Sequence, residues 1–340
     1  MSARSAASNA ARLLSFSMRD NSNGTAIYGY RSNNFSAPSV AWLLGGAGVL
    51  AFSLSLTANK VAVAGIDAVG ITVWRAVFAG ALAAVYLVAV RAPLPGLSSA
   101  GRLLVSGLGV IVGFPLLSSL ALQSIDAGRA AIILGLLPAF TAMFGQVIGG
   151  ERLPWGFWAA ALAGIAVLTI FLLETTAAAA PQRLGWGDLQ MLGATLCSAL
   201  GYALGAREAR ELGGARSISW SLVLLLPATV VAALLTLPHA HYELSVPVLT
   251  AMAYIAVVSQ LLGFFAWYGG LARGGIARVG QLQQLQPMLT ITASALLLHE
   301  PLTIATLFVG AVIAVLVWIA QRTRAQSPTC RLQAPANASN

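Results

Sequence analysis

Charge is the first thing this sequence lacks. Only 9% of its 340 residues are charged and 58% are hydrophobic, whereas an ordinary soluble domain carries about 25% charged residues. With a mean hydropathy of +0.82, the chain cannot be kept in water and must be an integral membrane protein. Cysteine is nearly missing as well. Cys197 falls in an apolar run and Cys330 in a polar tail, which excludes a disulfide framework. The net charge of +9 is scattered between apolar runs. It forms no basic cluster and no aromatic-interleaved patch, so nucleic acid is not the partner. Histidine is limited to His239, His241 and His299, all in loops. An intramembrane metalloprotease or a Ser–His hydrolase therefore lacks its residues, and neither an enzyme nor a metal or cofactor site is expected.

What the sequence has is long apolar runs. A helix needs about 20 mostly apolar residues to cross a bilayer. Ten stretches qualify: 40–58, 69–90, 103–122, 127–148, 155–173, 188–205, 217–237, 246–271, 276–298 and 303–320. This predicts an all-α membrane protein of ten helices with short connections. With both termini on the cytoplasmic side, fifteen arginines fall on that side: Arg4, Arg12, Arg19, Arg31, Arg91, Arg102, Arg152, Arg207, Arg210, Arg216, Arg273, Arg278, Arg322, Arg324 and Arg331. Only Lys60, Arg129 and Arg183 fall on the other, and Arg75 lies within a span. Positive residues favour the cytoplasmic side, so the asymmetry supports both the count and the orientation.

Two segments of the chain repeat one another. SIDAGRAAIILGLLPAFTAMFGQVIGGERL (124–153) and RGGIARVGQLQQLQPMLTITASALLLHEPL (273–302) align at an offset of 149. The offset pairs Arg129 with Arg278, Pro138 with Pro287, Glu151 with Glu300, and Leu153 with Leu302. The expected organisation is a polar, disordered cytoplasmic tail (1–38), a five-helix repeat (39–174), a linker (175–187), a second five-helix repeat (188–320) and a cytoplasmic tail (321–340). In the first tail, LLSFSM is too short for a signal-peptide core. Five is odd, so the second repeat enters the membrane from the opposite side. Inverted repeats recur in secondary transporters, with the substrate site near mid-membrane between them.

The proline-bearing helix followed by G-E-R-L or H-E-P-L, given twice in ten spans, resembles the EamA family of the drug/metabolite transporter superfamily. WRAVFAGALAA (74–84), with its arginine early in the second span, fits the same pattern. The resemblance covers about 40 to 320. It implies an exporter or facilitator of small metabolites, commonly amino acids, in a bacterial-type inner membrane, with a cavity lined by both halves. Within the family, the chain looks most like the YddG-type amino-acid exporters, which handle aromatic and hydrophobic substrates. Export of drugs or of nucleosides and purines is the alternative within the superfamily; a channel-like or structural membrane protein is the alternative outside it. The implied partners are a small-molecule substrate and the lipid bilayer, with one chain as the working unit.

The candidate site residues begin with QLQQLQP (281–287). An amide in hydrocarbon costs several kcal/mol (roughly 4–8) unless hydrogen-bonded, and the aligned residues Ile132, Leu134, Gly135 and Leu137 carry no amide. At about 100° per residue, Gln281/Gln284 and Gln283/Gln286 form two pairs on nearly opposite faces. One pair is expected to face substrate, with Gln281 and Gln284 the first choice; the other would bond a neighbouring helix or carbonyls freed by Pro287. In SQLLGFFAWYGG (259–270), Gln260, Phe264, Trp267 and Tyr268 are cavity candidates. Ser118 and Ser119 align with Trp267 and Tyr268, and Tyr202, Ser53 and Ser55 are weaker candidates. Pro138, Pro287, Arg75, Glu151 and Glu300 are assigned structural or gating roles. The two glutamates precede new helices, where a carboxylate meets the positive dipole end. No Asp, Glu, His or Lys lies near the middle of a span. A proton antiporter usually needs one, so facilitative or loosely coupled transport is expected.

Overall fold

The computed structural model describes residues 17–20, 26–29, 37–149, 154–178, 185–237, 242–274, 279–300 and 304–325, in two units, Met1–Val40 and Ala41–Asn340. In the first, β1 (Ser17–Asp20) pairs antiparallel with β2 (Ala26–Gly29), Met18 opposite Tyr28. This hairpin lies within the segment read from sequence as a disordered tail; the rest of that tail up to residue 36 lies outside the described residues.

The second unit is helical. The helices begin with α1 (Ala37–Ser53), which runs into this unit from Ala41 onward, followed by α2 (Ser55–Ala62) and α3 (Ala68–Ala89). Next come α4 (Leu97–Gly107), a π-helical segment (Leu108–Gly113) and α5 (Phe114–Leu122), which together form one continuous helix. They are followed by α6 (Ala127–Leu134), α7 (Leu137–Gly149), α8 (Trp155–Ala178), α9 (Trp186–Leu212) and α10 (Gly214–Thr236). A second continuous helix contains α11 (Val246–Ala253), another π-helical segment (Tyr254–Gly263) and α12 (Phe264–Gly274). A 3-10 segment (Gly280–Leu285), α13 (Gln286–Leu298) and α14 (Ile304–Ala325) complete it. Among the described residues, seven helices are long and apolar enough to cross a membrane, and α8 and α14 carry shorter apolar stretches.

Local chemistry sets the helix ends. The Asp67 carboxylate accepts from the backbone N–H groups of Val69 (3.0 Å) and Gly70 (2.9 Å), satisfying donors that the first turn of α3 leaves free. α3 stops where Arg91 turns left-handed at φ 47° and Ala92 N–H bonds back to Leu87 C=O at 2.9 Å. Between α9 and α10 a single residue, Gly213 at φ 85°, makes the turn. Residues with a Cβ are strained there.

The outer faces are apolar. Phe78, Leu82 and Val85 share one side of α3 and stay exposed, as do Leu234, Leu235 and Phe308 elsewhere. Apolar surface on this scale does not persist in water and suits contact with lipid.

Packing repeats when the halves are exchanged. α3 packs on its repeat counterpart α10, α8 on its counterpart α14, and α6 on α13. Other large contacts match at the level of whole helices: α9 with the helix that contains α5, and α2 with the helix that contains α11; α10 with the helix that contains α4, and α3 with the helix that contains the second π segment; α9 with α7, and α2 with α13. The interruptions match too. Each half has a π segment that ends on a glycine followed by phenylalanine (Gly113–Phe114 and Gly263–Phe264), and each has a broken helix with proline at the second position after the break (Pro138 in α7, Pro287 in α13).

The two ends of the bundle are tied by different contacts. At one end, Ile66 bridges Tyr242, and Glu243 N–H donates to Gly65 C=O (2.7 Å). There Lys60 Nζ donates to the carbonyls of Leu122 (2.7 Å) and Ile125 (2.8 Å), and Arg129 pairs with Asp188. At the other end Glu208 pairs with Arg102 and accepts from the Ser99 hydroxyl. Asp188 and Glu208 lie near opposite ends of α9, and each joins it to an arginine of the first half.

Candidate functional site

The two π segments meet at the centre of the bundle. A π turn holds one residue more than an α turn and interrupts the ladder, a feature common at functional sites. Gln260, in the second π segment, is fully buried; its Nε2 donates to Val110 C=O of the first (3.5 Å). Its Oε1 accepts from Arg75 Nη2 of α3 (2.5 Å). Arg75 is 2% exposed and its Nε has no hydrogen-bond partner. Arg75 therefore points inward. It does not reach back to the membrane surface.

Around this pair lies a cavity of about 20 Å³, room for about one water molecule. The first half contributes Phe52, Ser55 and Leu56 from α1 and α2, with Arg75, Val110, Phe114, Leu134 and Leu137. The second contributes Ser198 and Tyr202 from α9, Ser259, Gln260 and Phe264, and Gln286. The wall is polar where Ser55 and Ser259 share a hydrogen bond (2.9 Å). It is aromatic where Phe264 meets Phe52 and Tyr202 edge-on at 5.0 and 5.7 Å between centroids. The α1–α2 break at Leu54 borders it, and the Ser53 carbonyl there accepts from Thr290 Oγ1 (2.7 Å). That bond offsets the loss of a regular helical partner.

The glutamines divide by face. In a 3-10 turn residues i and i+3 eclipse, so Gln283 and Gln286 share a side, and both are buried. Gln286 lines the cavity with its Oε1 unpartnered. Gln283 neighbours the Tyr202 hydroxyl, which also faces Ser198, and its Nε2 is unpartnered. Gln284 is half-buried and does not line the cavity, and the Gln281 side chain lies outside the described residues. The pair placed inward is thus the one given second place in the sequence reading.

The other candidates separate clearly. Gln260, Phe264, Tyr202 and Ser55 are cavity residues. Trp267 and Tyr268 are fully buried behind the wall and meet Tyr202, Trp267 tilted at 6.3 Å and Tyr268 edge-on at 6.4 Å between centroids. Gly205 leaves room for Tyr268, since a Cβ there would sit 2.1 Å from its hydroxyl. Ser118 and Ser119 bond Asn59 of α2 (3.4 and 3.0 Å from Nδ2) away from the cavity. Glu300 accepts from the backbone N–H groups of Ala127 (2.9 Å) and Gly128 (3.0 Å), so it caps α6 of the first half. Sequence reasoning had it capping the helix that follows. Glu151 lies outside the described residues.

Sequence reasoning missed Phe52, Phe114, Ser198 and Ser259 at the wall, and Glu208. It ended the sixth span at 205, whereas α9 continues to Leu212 and buries Glu208 completely. The repeated Gly-Phe pair was the signal that could have located the π segments.

Apolar outer faces, two repeats and a buried polar cavity between them define a multi-pass membrane transporter. The chain belongs to the EamA-like transporter family, whose pattern matches residues 39–173 and 185–320. It is 41% identical over 283 residues to the uncharacterized transporter YdeK of Bacillus subtilis (strain 168), covering 83% of this chain and 96% of that one. It is 29% identical over 201 residues to a probable amino-acid metabolite efflux pump of Escherichia coli (strain K12), covering 55% of this chain and 64% of that one. A solved crystal structure, 19% identical, superposes with a TM-score of 0.59 over 87% of this chain and 99% of that one, a likeness of fold alone.

Proposed function

We propose that the protein is a secondary transporter that exports small metabolites, amino acids foremost, across a bacterial inner membrane by alternating access between two inverted five-helix repeats. The observation that carries this reading is the cavity built jointly by the two halves at their matched helix interruptions. The contacts at each end support the inversion. The α2–α3 turn (Ile66) lies at the Arg129–Asp188 end, while its repeat counterpart at Gly213 adjoins the Arg102–Glu208 end. With the termini cytoplasmic, as the arginine distribution favours, the Glu208 end faces the cytoplasm.

A cavity of about 20 Å³ is too small for any metabolite, and both ends are tied. The described conformation therefore corresponds to a closed stage of the cycle, and substrate enters when one end parts. An export direction agrees with the name of the Escherichia coli relative. The test is flux from proteoliposomes against a panel of amino acids, nucleosides and cationic drugs. Gln286→Leu should abolish saturable transport while Gln284→Leu keeps wild-type kinetics, both with normal folding. The reverse pattern would contradict this cavity as the substrate site.

A further inference from the structure

Transport alone does not account for Arg75. A guanidinium is permanently charged, planar and rich in donors. Inside a membrane it is retained beside a partner or along a substrate path. Among the described residues, Arg75 makes one hydrogen bond, from Nη2 to the neutral Oε1 of Gln260. Nε is buried and unpartnered, and no Asp or Glu is among the residues lining the cavity. Gln260 supplies a dipole but no negative charge. Its own amide is held by Val110 C=O, so it fixes the guanidinium without neutralising it.

A carboxylate matches what remains, because guanidinium and carboxylate groups pair through two parallel N–H···O bonds. The same cavity has an unpartnered acceptor, Gln286 Oε1, and an apolar aromatic wall of Phe52, Phe264 and Tyr202. We propose that Arg75 is the carboxylate anchor of the transport site. Cargo is then a small carboxylate with an apolar side chain, its charge against Arg75, an N–H on Gln286 and its side chain against the rings. Among the described residues, the lining holds one formal charge, and it is positive. The carboxylate is therefore obligatory. The ammonium, which meets only neutral acceptors, contributes less.

This inference rests on the transport reading, and the experiment separates the two. Counterflow of labelled L-leucine or L-phenylalanine into proteoliposomes carrying the full chain is competed with three matched analogues: the amino acid, the methyl ester, and the acid lacking the amine (4-methylpentanoate or 3-phenylpropanoate). The amino acid and the amine-free acid should compete, while the ester should be weaker by about tenfold to a hundredfold, the scale of hydrogen bonds to a charged group. Arg75→Lys, which keeps the charge and loses the fork, should raise the half-saturation concentration for the acids by a similar factor. If ester and acid compete equally in the wild-type protein, the anchor is wrong and transport stands, whether or not Arg75 variants fold. If nucleosides or cationic drugs move and no carboxylate does, the anchor is likewise overturned. If nothing in the panel moves, both readings fail.

Discussion

Asp188→Ala is expected to lower stability by about 3–5 kcal/mol, the cost of removing one partner from a buried ion pair. Arg129 and Asp188 are both buried, and two bonds join them, Nε to Oδ1 at 2.6 Å and Nη2 to Oδ2 at 3.0 Å. Without the carboxylate the guanidinium stays in a low-dielectric site and loses both bonds to Asp188. Asp188 also accepts from Gly185 N–H (3.1 Å), so alanine removes the cap of α9 as well. Asp188→Asn, which can still cap, should recover part of the loss. Thermal unfolding of the purified protein in detergent reads the difference. A midpoint unchanged by Asp188→Ala would show that this pair contributes nothing to holding the end closed.

At the opposite end of α9, Glu208→Ala should act more on conformational balance than on stability. Glu208 is completely buried, but Arg102 is partly exposed, so water can take over the arginine once the carboxylate is gone. What is lost is the tie between α9 and α4, made by Arg102 and by the Ser99 hydroxyl. Charged hydrogen bonds contribute about 1.5–3 kcal/mol. Amide exchange across residues 97–107 should therefore quicken by about tenfold to a hundredfold, with the first turn of α6 unaffected. Equal acceleration at both ends would mean general loosening, and no acceleration would remove Glu208 from the closing contacts.

The repeats and their prolines could be read from the sequence because they are one-dimensional. Pro138 and Pro287 lie 149 residues apart and occupy the same position after a break in each half. Lipid-facing runs were equally plain, since a bilayer requires length and apolarity whatever the packing. The polar interior could not be read in the same way. Which glutamine pair turns inward depends on neighbouring helices, and the 3-10 geometry of 280–285 departs from the regular wheel. The partnership of Arg75 and Gln260 spans 185 residues and depends on a π segment that composition does not announce. Trp267 and Tyr268 carry the amphipathic signature of interface anchors, yet tertiary packing buries both completely. Glu208 escaped notice through an error of seven residues in one helix boundary, from 205 to Leu212.

Counterflow tests the central claim, that one cavity between the halves is reached from each side in turn, most directly. Proteoliposomes loaded with unlabelled L-leucine and diluted into labelled L-leucine, with no pH gradient, should transiently accumulate label above its equilibrium level. The rate should saturate with concentration, because each cycle exposes a single site. A flux that rises linearly with concentration and ignores the unlabelled substrate inside would contradict alternating access and point to a pore.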